Sequence, residues 1–373
     1  MPRRWSRTAK YLISLWLLVA VLGLGGCVPT ADHLAASNRP GIPSRAGDPQ
    51  PEPRFTNSEF ITTDGERLPL RKWLPTGRVK AVILALHGFN DYSHAFTMPA
   101  TAWAKDGIAT YAYDQRGFGE APERGRWPGR AALAIDAATA CGILRRLYPH
   151  LPLYLLGESM GGAVAVVTMT GESGTPVPEV DGVILVAPAV WGRSTMGFLP
   201  RTVLFVAVRF LPGLTLTGQS LHIMASDNIP MLRALGRDSL FIKETRVDTI
   251  WGLVNLMDAA LASAPRMHVP LLVMYGAHDE IIPKRPMRIF VLNLPHDPRE
   301  RRTFVYYRHG YHMLLRDLEG PRVSGDVASW ILVPGAPLAA GVDRDTFEAD
   351  LGKADLGKAD LGGGHQTALA GRE

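Results

Sequence analysis

The stretch Leu153-Tyr154-Leu155-Leu156-Gly157-Glu158-Ser159-Met160-Gly161-Gly162-Ala163-Val164-Ala165 decides the fold. It reads as an apolar strand, then Gly-x-Ser-x-Gly, then a run suited to a buried helix. A serine between a strand and a helix must sit in a sharp turn with unfavourable backbone angles. Such a turn leaves little room for side chains at Gly157 and Gly161. It lifts the Ser159 hydroxyl to the carboxyl end of a sheet and aims the Met160 amide at whatever the hydroxyl attacks.

Working outward, segments 81–86, 108–113, 151–156, 183–187, 271–275 and 303–307 are short apolar runs, as strands buried on both faces should be. Helical patterns fall near 96–105, 130–148, 161–170, 286–294 and 324–331. Segments 59–63 and 68–73 form a leading hairpin across Asp64-Gly65. This alternation predicts an α/β fold with a mostly parallel, doubly wound sheet. From 191 to 267 the alternation stops, although Phe198, Phe205, Phe210, Phe241, Trp251 and Leu256 keep the segment apolar. The expectation is a helical lid over the carboxyl ends of the strands, inserted after the sixth strand. The core is then 55–190 together with 268–333.

A serine hydroxyl needs a base to take its proton, and the base needs an acceptor to fix its tautomer. In doubly wound hydrolases the chain order is Ser, acid, His. Asp279 follows the 271–275 strand in Gly276-Ala277-His278-Asp279-Glu280, with Glu280 and, in the lid, Asp258 as alternative acids. His312 follows the last strand in Tyr311-His312-Met313-Leu314, with His309 as its competitor. Leu86-His87-Gly88-Phe89-Asn90 stands where a second oxyanion donor is expected, and the Phe89 amide is the candidate. His87 is read as a prop for that loop, and 114–119 as a structural turn near the site.

Residues 157–162, His87-Gly88-Phe89, Asp114-Gln115-Arg116-Gly117-Phe118-Gly119, 276–279 with Pro283, and 311–314 together resemble the monoacylglycerol lipase and lysophospholipase branch of the α/β-hydrolase family over about 55–330. The resemblance implies Ser159 as nucleophile, Asp279 as acid, His312 as base, and the Phe89 and Met160 amides as oxyanion donors. It also implies neither metal nor organic cofactor. The expected activity is hydrolysis of a lipid carboxylic ester through an acyl-enzyme. Two alternatives keep the fold, a thioesterase and a peptidase of the proline iminopeptidase type, for which Asp227, Glu244, Asp248 and Asp258 offer acidic groups. A third is a non-catalytic lipid-binding envelope lipoprotein.

The ends of the chain speak to setting. Arg3, Arg4, Arg7 and Lys10 precede an apolar run of 16 residues from Tyr11 to Gly26, slightly short of a spanning helix. The run closes Leu24-Gly25-Gly26-Cys27, which resembles a bacterial lipobox. Residues 1–26 are therefore expected to be a signal, and Cys27 the site of lipidation holding the chain to a membrane of the cell envelope. Val28 in place of Asp points to the outer membrane of a Gram-negative cell. Without the four basic signal residues the 40 Lys and Arg become 36 against 35 Asp and Glu, near neutral. No basic stripe suggests nucleic acid. Residues 27–54, rich in Pro, Arg, Asp and Ser, read as a flexible tether. With Cys27 lipidated, Cys141 is left as a small apolar group in a helix. The repeat Ala-Asp-Leu-Gly-Lys begins at Ala349 and again at Ala354, and glycine at every fifth position argues against a stable helix. Residues 334–373 are expected to be a disordered tail.

Overall fold

The computed structural model of the protein describes residues 52–359, except 173, 175, 219–222, 298–300, 339–340 and 343. The signal, Cys27 and the tether up to residue 51 lie outside the described residues, as does the tail from residue 360. In chain order the first half runs β1 (Arg54–Phe55), β2 (Glu59–Ile61), β3 (Arg67–Trp73), β4 (Ala81–Leu86), α1 (Thr97–Asp106), β5 (Ile108–Tyr113), α2 (Arg130–Leu147), β6 (Leu153–Glu158), α3 (Met160–Met169) and β7 (Gly182–Val186). It continues with α4 (Phe198–Phe210), β8 (Thr215–Thr217), α5 (Ile229–Arg237), β9 (Glu244–Arg246), α6 (Val247–Ser263), β10 (Leu271–Gly276), α7 (Lys284–Asn293), β11 (Arg302–Tyr307), α8 (Gly320–Leu332), β12 (Gly341–Val342) and α9 (Arg344–Ala359).

Ten strands form one sheet in the order β1-β2-β3-β5-β4-β6-β7-β10-β11-β12. The pairs from β5 to β11 are parallel, and the two edges are antiparallel. Every residue of β4, β5, β6, β7 and β10 is buried, as expected of strands covered by helices on both sides. One face buries Val82, Leu84, Leu86, Leu155, Val164 and Val273; the other buries Ile83, Ala85, Trp103, Leu156, Met274 and Trp330. The chain reverses its winding at β4, with β5 on one side and β6 on the other. The loops after β4 and β6 thus meet at the switch point where doubly wound sheets bind ligands. The leading hairpin is present, and Gly65 takes a left-handed φ of 82° in its turn. The short β1 makes the strand before the lid the seventh in the chain rather than the sixth.

Two boundaries differ from expectation. The lid ends near Arg246, not at residue 267. Helix α6 belongs to the core: it packs on α3 and buries Val254, Leu256, Met257, Ala260 and Leu261. Within the lid, β8 and β9 pair antiparallel, so it is not purely helical. The second difference is the C-terminal segment. Residues 344–359 are helical, glycines 352 and 357 included, and α9 packs on α7 and β11. Phe347 and Leu351 are buried, Phe347 against Phe304 and Tyr306. A helix-interior glycine costs about 1 kcal/mol, whereas burying a Phe and a Leu stabilises by about 1.5–3 kcal/mol each, so docking wins. The described part of the tail is therefore ordered, contrary to the sequence expectation.

Candidate active site

Ser159 stands between β6 and α3 with φ 53° and ψ −115°, an unfavourable region for a residue with a Cβ. The turn is held from both sides. The Ser159 amide donates to the Val186 carbonyl at 2.9 Å, and the Ser159 carbonyl accepts from Ala189 at 2.9 Å. A Cβ on Gly161 would lie 2.0 Å from the Leu86 carbonyl oxygen, and one on Gly157 would lie 2.3 Å from that of Gly161. Both positions therefore require glycine, as the pentapeptide implies.

The loop after β4 passes directly beside this turn. A Cβ on Gly88 would be 3.4 Å from Ser159 Cβ and 4.0 Å from its Oγ. Among the described residues the Phe89 and Met160 amides donate to no other group, the state expected of oxyanion donors. His87 shapes the loop: its Nε2 accepts from the Gln115 amide at 2.9 Å, so Nδ1 carries the proton and donates to the Gly88 carbonyl at 2.8 Å. Complete burial lowers the His87 pKa, which suits this neutral tautomer. Its role as a prop is as expected. The 114–119 turn is structural too. Asp114 accepts from the Ser93 amide and hydroxyl and from the Glu120 amide, and Arg116 is clamped by Asp136 and Asp64.

Asp279 and His312 meet. His312 Nδ1 donates to Asp279 Oδ2 at 2.8 Å, with the Asp279 side chain fully buried and that of His312 nearly so. The other carboxylate oxygen, Oδ1, accepts from the Ile281 and Ile282 amides at 2.9 Å each, which fixes the carboxylate plane. Burial alone would depress the His312 pKa, but the charge and hydrogen bond of Asp279, with Glu158 beyond, raise it above the ordinary histidine value. The alternatives do not share this environment. Glu280 is exposed and accepts from the Met224 amide. Asp258 pairs with Arg193, and His309 is exposed. Of the acidic groups considered for binding an amine, Asp227 accepts from Leu318 and Asp248 pairs with Arg246; Glu244 is exposed in β9.

The sequence reading missed the charged cluster that links these parts. Arg316 reaches Asp91 at 2.6 Å and Glu158, the residue before Ser159, at 3.5 Å. It also missed the strap of residues 224–228, which crosses both loops. Ala225 accepts from the Met313 amide, Ser226 donates to Asp317, Asn228 donates to the Arg316 carbonyl, and the Met224 amide donates to Glu280. Glu158 stands inside the motif and could have prompted the question of its partner; Asp91 and Arg316 carry no spacing signal. Within the lid, α4 buries only Val208 and exposes Phe198, Leu199, Val203, Phe205, Val206 and Phe210.

A family model described as Hydrolase_4, serine aminopeptidase S33, matches residues 77–319. The monoglyceride lipase of Homo sapiens is 27% identical over 286 residues, covering 75% of this chain and 90% of that protein. The monoacylglycerol lipase of Mycolicibacterium smegmatis is 24% identical over 282 residues, covering 74% and 98%. Among solved structures, a soluble variant of the monoglyceride lipase of Saccharomyces cerevisiae in complex with a substrate analogue superposes with a TM-score of 0.58 at 18% identity, covering 76% and 98%.

Proposed function

Since the chain belongs to the Hydrolase_4, serine aminopeptidase S33 family of α/β-hydrolases and is a serine hydrolase, we propose that it cleaves carboxylic esters of lipids, of the monoacylglycerol or lysophospholipid type, through an acyl-enzyme. The observation that carries the mechanism is the buried His312–Asp279 pair, together with the strained turn that holds Ser159 after β6. Asp279 holds the His312 proton on Nδ1 and leaves Nε2 free as the base for the Ser159 hydroxyl. Attack on the ester carbonyl gives a tetrahedral oxyanion that the Phe89 and Met160 amides receive; each such donor contributes about 3–4 kcal/mol to the transition state. The imidazolium then protonates the leaving alcohol. Water, activated by His312 in the same way, releases the fatty acid and restores Ser159.

Two observations favour an acyl substrate over an amine-bearing one. The lid presents an apolar surface, with each buried methylene of a chain worth about 0.8 kcal/mol. Of the acidic groups considered for an amine, Asp227, Asp248 and Asp258 already hold partners within the protein. We also place the body at the cell envelope on a tether from lipidated Cys27, since several acyl chains on one residue hold a protein at a membrane nearly permanently.

A fluorophosphonate probe tests the mechanism. The wild-type chain becomes labelled and Ser159→Ala does not; an active Ser159→Ala enzyme sinks the reading. Turnover of glyceryl monoesters against aminoacyl amides tests the substrate class, with faster amide cleavage overturning it.

A further inference from the structure

Three loops must keep fixed mutual positions for this chemistry: the oxyanion loop after β4, the turn that carries Ser159, and the loop that carries His312. Each supplies one charged residue to a single buried cluster. Asp91 comes from the first, Glu158 from the second and Arg316 from the third. Arg316 Nη2 donates to Asp91 Oδ2 at 2.6 Å and to Glu158 Oε2 at 3.5 Å, and all three residues are less than a tenth exposed. Asp91 is itself tied into its loop, its Oδ1 accepting from the Tyr92 amide at 2.9 Å and its amide donating to the Gly88 carbonyl at 3.3 Å. The Arg316 amide donates to the Met313 carbonyl at 2.8 Å, one residue from His312.

We propose that Asp91, Glu158 and Arg316 are positioning residues of the hydrolase, an ionic hub that sets the Phe89 amide, Ser159 and His312 in register and tunes the base. The inference rests on the Ser159–His312–Asp279 reading above.

The cluster is poorly suited to a purely structural role. Among the described residues Glu158 Oε1 and Arg316 Nε have no hydrogen-bond partner. Buried ion pairs can commonly be replaced by packed apolar groups without loss of stability, so an incompletely satisfied one needs another reason to exist. Its charges also act on the base: Glu158 raises the His312 pKa and Arg316 lowers it. The remaining groups that act on this cluster are Asp279 and Asp317 around His312, and His87 across the oxyanion loop. Burial also pushes the Glu158 carboxyl up, against the pull of Arg316.

The test compares full-length Asp91→Asn, Glu158→Gln, Arg316→Lys and Arg316→Met with Asp136→Asn, which weakens a buried arginine pair that shares no residue with this cluster. Ester turnover is followed against pH, and thermal midpoints are recorded in parallel. A misplacement of about 1 Å costs on the order of 10²-fold in rate. Arg316→Met and Asp91→Asn are therefore expected to lose kcat by about 10- to 100-fold with KM little changed. Arg316→Lys recovers part of the loss. Glu158→Gln moves the acid limb of kcat/KM to lower pH, and Arg316→Met moves it higher. Asp136→Asn lowers the midpoint and leaves kcat and the limb in place. If Arg316→Met does not fold, Asp91→Asn and Glu158→Gln decide alone. The proposal is overturned if those two keep kcat within about twofold with an unmoved limb, or if the site variants differ from Asp136→Asn only in stability. Ser159→Ala separates the two levels: an active Ser159→Ala enzyme removes the triad reading, whereas an inactive one beside normal Asp91→Asn and Glu158→Gln removes the hub alone.

Discussion

Replacing Asp279 by Asn probes the centre of the mechanism with almost no change in shape. The surroundings dictate how the amide must sit. The oxygen that accepts from the Ile281 and Ile282 amides at 2.9 Å has to remain an oxygen, because an NH₂ group there would face two donors. The amide nitrogen is thereby turned toward His312 Nδ1, 2.8 Å away. Nδ1 can then only accept, so the imidazole proton moves to Nε2, the nitrogen that should receive the serine proton. The base is presented in the wrong tautomer. In a serine protease the equivalent substitution lowers kcat about 10⁴-fold, or roughly 5.4 kcal/mol at 1.36 kcal/mol per decade. The negative charge that raises the His312 pKa is lost as well, so the residual activity should show its acid limb at lower pH than wild type. The assay is initial-rate hydrolysis of a soluble short-chain ester from pH 5 to 9. A variant that keeps more than about a tenth of wild-type kcat would refute the assignment of Asp279.

In the wild type His312 must be neutral to accept the serine proton, so kcat/KM should fall as pH drops through a value above that of free histidine; a limb below the free value contradicts the stated role of Asp279. Gly161→Ala places a methyl 2.0 Å from the Leu86 carbonyl, and chemical unfolding should show a loss of about 3 kcal/mol or more; a variant as stable as wild type means the turn is not as described. Phe347→Ala should cost about 3–5 kcal/mol by the same measurement, since its ring is fully buried against Phe304 and Tyr306; a negligible change would mean that α9 does not dock. Cys27→Ala should shift the protein from the membrane to the soluble fraction after cell disruption, and wholly unchanged fractionation contradicts lipid anchoring.

The sequence revealed residues whose type is forced by position. Continuous apolar runs such as 81–86 and 271–275 announce strands covered on both faces, and Asp279 and His312 follow directly from the strands that must end beside Ser159. It concealed features that depend on what a segment packs against. Helix α6 is apolar because it lies on α3, and nothing in residues 247–263 distinguishes that from a lid helix touching substrate. The C-terminal repeat looked unstructured because its glycines penalise a helix locally, while the anchoring side chains Phe347 and Leu351 gain their energy from α7 and β11, far back in the chain. The hub stayed hidden for the same reason, since Asp91 and Arg316 lie 225 positions apart and meet only in three dimensions.

The antiparallel pairing of Gly341–Val342 with Phe304 and Val305, with α9 packed on β11, covers part of one rim of the main sheet. Unpaired rims invite strand addition from neighbouring molecules. The segment after residue 333 thus acts as a selvedge that keeps the weave from running into the next molecule. Trimming the gene there for convenience would bare a row of backbone donors and acceptors together with the Phe304 and Tyr306 rings, and the shortened protein should gather into clumps at concentrations where the intact one stays dispersed.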